Sequence, residues 1–220
     1  MKAMKALKLV IFDCDGVLVD SEPITNQIFL DILQGYGLSI PHEEFVAKYV
    51  GSGMSVVKAL LYQHHNFTLP DDFFKSFNAM SIEALERDLK AVKNVEKAID
   101  DLNVPFCLAS NSSPEKVRLM LKKTTLFNRF DGKIFTSSLV AAPKPAPDIY
   151  LHAAKANGVS PENVLVIEDT HIGVTAAVAA GMNVFGYTGT FPAEKLINAG
   201  ASKTFGDMND LKGLIEKTYG

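Results

Sequence analysis

"LKLVIFDCDGVLVDSEPI", residues 7–24, opens as an apolar, β-branched run and then sets Asp13 and Asp15 one residue apart, with Gly16 directly after them. The run predicts a strand buried in a sheet. Gly16 permits a tight turn that lets both carboxylates converge on one site. Two like charges that close need a counter-ion. Taken alone, the pair fits a capped turn with solvated carboxylates equally well. The ends of three further strands shift the balance.

Four more short apolar runs follow: "PFCLAS" (105–110), "KIFTS" (133–137), "VLVIE" (164–168) and "NVFGYT" (183–188). Between them lie stretches of helical period with start signals, among them "SPEKVRLMLKK", "PAPDIYLHAAKANG" and "HIGVTAAVAAGM". Strand and helix alternating in this way predict an α/β fold, a doubly wound Rossmann-like parallel sheet covered on both faces. In such a sheet, ligands sit beyond the carboxyl ends of the strands where the strand order reverses.

The interval between the first two runs is too long for one crossover helix. Ile24, Ile28 and Ile32 are spaced by four, as are Phe45 and Tyr49; Val56, Val57, Leu60 and Leu61 form one stripe, and Phe73, Phe77 and Leu85 another. The expectation is a small helical cap domain at 19–90, inserted into a core domain made of 1–18 and 91–220. The cap carries ten acidic and five basic residues, so anions must be attracted locally, near the strand ends. Gly51, Ser52 and Gly53 read either as a loop over the site or as a plain turn between cap helices.

At the second strand end, Ser110, Asn111, Ser112 and Ser113 offer hydroxyls and N–H groups ahead of a helix starting near Pro114, which suits a phosphate; Ser113 also reads as that helix's N-cap. Lys144 lies between two prolines in "AAPKPAPDIY", a constrained position for an ammonium. The fourth apolar strand ends in Glu168 and Asp169, two acids that are costly at a buried strand end unless a cation is present. Hard oxygen donors without a Cys/His cluster point to Mg²⁺ and not to zinc. Asp13 and Asp169 are the expected direct ligands, with the backbone carbonyl of Asp15 as a third. His171 reads as the start of the next helix, and His64 and His65 as helix-end surface residues.

Composition narrows the class. A 220-residue chain with a net charge of −3 and 21% charged residues reads as an ordinary globular protein with a sizeable core and not as a basic nucleic-acid binder. Cys14 and Cys107 both fall in or beside apolar runs and read as buried thiols. The opening "MKAMKALKLVIF" is broken by lysines and ends at Asp13, unlike a leader, so a cytoplasmic protein without membrane contact is expected.

Four strand ends supplying acids, hydroxyls, lysine and acids, in that order, resemble the haloacid dehalogenase superfamily. Its four motifs match "DCDGVLVD", Ser110 in "LASNS", Lys144 in "PKPAPD" and "IEDTHIG", and the inserted helices resemble its β-phosphoglucomutase-like branch. The resemblance implies Asp13 as nucleophile, Asp15 as general acid/base and Mg²⁺ as cofactor. Ser110, Asn111 and Lys144 would bind phosphate, and a small phosphorylated metabolite would be the substrate. An acid at position 15 favours phosphate esters over halides, since halide departs without a proton. A phosphomutase is the alternative, but Val50 and Met54 stand where the mutase cap carries a lysine and an arginine. General patterning is similar to the 6-phosphogluconate phosphatase-like group, and the expected assembly is a monomer or weak dimer.

Overall fold

A computed structural model describes residues 6–50 and 54–220; the segment Gly51, Ser52 and Gly53, expected as a loop or a plain turn, lies outside the described residues. The chain divides into two compact units, one running to Asp20 and resuming at Lys90–Gly220, the other Ser21–Leu89. The division falls at Ser21 and Leu89, not at 19 and 90. Asp20 N–H donates to the Lys90 carbonyl at 3.0 Å, which keeps both residues with the sheet.

The first strand, β1 (Leu9–Phe12), has all four residues buried. The inserted unit then supplies α1 (Glu22–Gly35), α2 (His42–Lys48), α3 (Met54–His65) and α4 (Phe73–Asp88). Phe29 anchors this unit, with its ring centroid 5.0 Å from that of Phe45 and 4.7 Å from that of Phe73. Tyr49 stacks on Phe45. The expected four-residue stripe on α3 is narrower than its spacing suggested: Val57 and Leu61 are buried, whereas Val56 is 49% exposed. Val57 and Leu61 are four apart and share a helix face, from which Val56 is rotated away.

The chain returns through α5 (Val95–Asp100) to β2 (Phe106–Ser110), α6 (Pro114–Lys123), α7 (Phe127–Phe130) and β3 (Ile134–Thr136). It then runs through α8 (Asp148–Ala156), β4 (Val164–Glu168), α9 (His171–Ala179), β5 (Asn183–Tyr187), α10 (Ala193–Asn198), β6 (Lys203–Phe205) and α11 (Leu211–Tyr219). Among the described residues all six strands are parallel, in the order β3-β2-β1-β4-β5-β6. The five apolar runs are the first five strands. The sixth, only three residues long, carries Lys203 and Thr204 and lacks the apolar signal.

The chain winds outward from β1 to β3 on one side and from β4 to β6 on the other, so the order reverses between β1 and β4. That is the switch point at which such sheets bind ligands. Every residue of β1 and of β4 is buried, which leaves the polar residues following them at the mouth of this crevice. Among the described residues, no helix is long and apolar enough to cross a membrane.

Candidate active site

Sheet pairing continues one residue past β1, where Asp13 N–H donates to the Ile167 carbonyl at 3.0 Å. The chain then turns: Gly16 N–H reaches the Val19 carbonyl at 2.8 Å, and Leu18 and Val19 N–H both reach Cys14. Gly16 has φ +80°, and a Cβ there would lie 2.0 Å from Asp169 Oδ2. Glycine is therefore required both by the backbone and by the carboxylate packed on it.

Lys144 sits at the centre. Only 6% exposed, it donates to Asp13 Oδ1 at 2.5 Å, to Glu168 Oε1 at 2.8 Å and to the Ala109 carbonyl at 3.0 Å. Its three N–H bonds are thus all used. Asn111 places it by its main chain, accepting from Lys144 N–H at 3.0 Å and donating to the Lys144 carbonyl at 3.2 Å. Ser110 is buried, and its Oγ accepts from Ser112 N–H at 3.0 Å.

Glu168 is saturated. Lys144 and the Tyr150 hydroxyl both donate to Oε1, the latter at 2.8 Å, while Thr170 donates to Oε2 through N–H and Oγ1, each at 3.0 Å. Asp169 follows, fully buried, with Thr190 Oγ1 donating to its Oδ2 at 2.5 Å. Asp15 lies in a different set of bonds: Ser112 Oγ donates to Oδ2 at 2.9 Å and Lys116 Nζ to Oδ1 at 3.2 Å.

Asp13, Glu168 and Asp169 bring a carboxylate oxygen each to within 4.8 Å of one another, all buried. Three buried carboxylates around one buried ammonium leave a surplus of negative charge. Burial pushes the Asp13 carboxyl up to about 8; Lys144 pulls it down, and the charges of Glu168 and Asp15 add to the rise. Burial alone would lower Lys144, but its pairs with Asp13 and Glu168 outweigh that and hold it well above its ordinary value. An all-oxygen, electronegative donor set suits a hard divalent cation such as Mg²⁺.

Of the residues singled out in the sequence, Lys144 bonds Asp13 and Glu168, Asp169 brings an oxygen to within 4.8 Å of both acids, Asn111 holds the Lys144 main chain from just past β2, and Ser110 at the end of β2 bonds Ser112 instead. Asp15 projects to the α6 side. Ser112, singled out among the hydroxyls suited to phosphate, gives its Oγ–H to Asp15. Three participants were missed. Tyr150 reads as a core aromatic of α8, Thr190 as a turn residue in "TGTFP", and Lys116 as a routine surface lysine of α6. Their signal lies in three dimensions, since each reaches its acid from a distant part of the chain: Tyr150 from α8, Lys116 from α6 and Thr190 from the segment after β5.

A family model described as haloacid dehalogenase-like hydrolase matches residues 7–181. The 6-phosphogluconate phosphatase of Escherichia coli K12 is 28% identical over 212 residues, 96% of each chain. A haloacid dehalogenase-like protein of Agrobacterium tumefaciens str. C58 superposes with a TM-score of 0.90 at 36% identity, covering 96% of this chain and 99% of the other. A hydrolase from Deinococcus radiodurans R1, crystallised with bound phosphate and sodium, superposes with a TM-score of 0.82 at 31% identity over 96% of both. In sequence, in fold and in the order of its strand-end residues, the chain belongs to the haloacid dehalogenase-like hydrolases.

Proposed function

We propose that the protein is a Mg²⁺-dependent phosphatase acting on a small phosphorylated metabolite, a sugar phosphate or a sugar-acid phosphate such as 6-phosphogluconate, through an aspartyl-phosphate. The observation that carries this reading is the separation of two carboxylates one residue apart: Asp13 on the buried Lys144–Glu168 pair, Asp15 on Ser112 and Lys116. One is set for nucleophilic attack and the other for proton transfer. The phosphate bound by the Deinococcus relative and the activity named for the Escherichia coli relative agree with it.

In the proposed sequence, an Asp13 oxygen attacks phosphorus in line with the ester oxygen. As the new P–O bond forms and the ester P–O bond breaks, Asp15 gives its proton to the departing alkoxide. Asp15, now ionised, takes a proton from water, whose oxygen attacks phosphorus; the Asp13–phosphorus bond breaks, phosphate leaves and the Asp13 carboxylate returns. Lys144 by its charge, with Ser110 and backbone N–H groups at the end of β2, stabilises the non-bridging oxygens, the largest contribution in phosphoryl transfer. Asp13, Asp169 and the Asp15 carbonyl would hold Mg²⁺, which supplies positive charge for the same oxygens.

Hydrolysis of p-nitrophenyl phosphate, with Mg²⁺ and with chelator, tests the reading. Turnover is expected only with the metal, and Asp13→Asn is expected to lower it by at least about 10³-fold. Turnover that survives in Asp13→Asn overturns the assignment. Phosphate release from a sugar phosphate without added bisphosphate separates this activity from a mutase.

A further inference from the structure

Two hydrogen bonds reach Asp15 from the turn after β2 and the first turn of α6. Ser112 Oγ donates to one carboxylate oxygen at 2.9 Å and Lys116 Nζ to the other at 3.2 Å. Lys116 is brought there by helix capping. Ser113 is the N-cap of α6, its Oγ accepts from Lys116 N–H at 3.3 Å, and Pro114 opens the first turn. Ser112 is set by its own N–H, which donates to buried Ser110 Oγ at 3.0 Å. The Lys116 side chain is 29% exposed and that of Asp15 is 20% exposed, so the pair is largely shielded from solvent.

An aspartate has two rotatable bonds, and proton transfer needs heavy atoms within about 2.6–3.2 Å. A displacement of about 1 Å can cost on the order of 10²-fold in rate. We propose that Lys116, with Ser112, is a positioning residue for Asp15, fixing the carboxyl group so that the leaving-group oxygen meets it in one geometry. This rests on the roles proposed above for Asp13 and Asp15.

The consequence is selective. A sugar alkoxide departs only if it receives a proton, whereas p-nitrophenolate departs without one. A misdirected acid therefore slows the first ester far more than the second, while general damage to the fold slows both alike. The ratio is read in kcat/KM, which ends at the P–O cleavage that transfers phosphorus to Asp13.

The experiment measures kcat/KM for glucose 6-phosphate and for p-nitrophenyl phosphate, with Mg²⁺, in wild type, Lys116→Met, Lys116→Arg and Ser112→Ala, with circular dichroism of each. The loss in Lys116→Met is expected to be at least about 10-fold greater on the sugar phosphate than on the aryl ester. Ser112→Ala should tilt the ratio in the same direction by less, and Lys116→Arg should restore most of it. If Lys116→Met does not fold, Ser112→Ala carries the same comparison. Equal losses on both esters, or no loss on either, overturn the inference. A wild type that hydrolyses neither ester overturns the phosphatase reading itself, and the wild-type assay alone tells that failure apart.

Discussion

At Asp13, charge, burial and chemistry meet in one side chain. Its carboxyl is pushed up from 3.8 to about 8 first by burial, against the pull of Lys144. The sign of the consequence follows from proton counting. Between about pH 4 and pH 8 the unfolded chain has released this proton while the folded protein keeps it, so stability falls as pH rises across that window. Lys144 contributes no slope there, because its raised value confines its titration to pH above its ordinary 10.5. Thermal midpoints of metal-free protein should decline from pH 5 to 8 more steeply in wild type than in Asp13→Asn. Mg²⁺ in excess should remove most of that difference by favouring the ionised form. Equal slopes in the two proteins without metal would show that Asp13 is not the group responsible. Some of this site was legible in the chain itself: acids and a lysine at the ends of apolar runs are conspicuous because they interrupt burial. Glu168 stood out for the same reason, yet its four hydrogen bonds, to Lys144, Tyr150 and Thr170, were not readable, since its partners come from three different segments.

Among the elements, the junction of β4 and α9 is closely packed. Thr170 caps α9, its Oγ1 accepting from Gly173 N–H at 3.0 Å while donating to Glu168. A Cβ on Gly173 would lie 1.6 Å from Glu168 Oε1. Gly173→Ala must therefore displace either the helix or the carboxylate that anchors Lys144. It should destabilise the protein by about 3 kcal/mol or more, measured by urea unfolding, and weaken Mg²⁺ binding measured by calorimetry. A change below about 0.5 kcal/mol would mean that α9 is not held against Glu168 in this way. The elements themselves were largely readable because patterning and capping agree with the tertiary structure. Ser113 and Pro114 mark the start of α6, and His171 the start of α9. Strand β6 was not, because a three-residue edge strand with two polar residues needs little apolar signal. The α3 stripe failed for the opposite reason, since four apolar residues in sequence span more of a helix than one contact face.

For the whole molecule, the strand order β3-β2-β1-β4-β5-β6 gives the motifs their meaning. Residues at 13, 110, 144 and 168–169 are far apart in the chain, yet a parallel sheet delivers every strand's carboxyl end to one edge. The reversal between β1 and β4 opens that edge beside Asp13 and Asp169. The helical insertion enters and leaves at one place, where Val19 pairs antiparallel with Ala91 in an isolated bridge, so the core unit closes over the interruption with its own hydrogen bonds. Fold class was legible because it depends on these long-range regularities of burial. What the lysine at 116 and the threonine at 190 touch was not, because it depends on how α6 and the segment after β5 are placed at the strand ends, which no local pattern encodes. The central claim is that Asp13 carries the phosphoryl group. It is tested most directly by acid-quenching the enzyme during turnover of a phosphate ester with Mg²⁺ and mapping phosphorylation by mass spectrometry. The account predicts one phosphoryl group on the peptide bearing Asp13, absent with chelator and absent in Asp13→Asn. Steady turnover with no phosphorylated Asp13 at any quench time, and with Asp13→Asn still active, would contradict it.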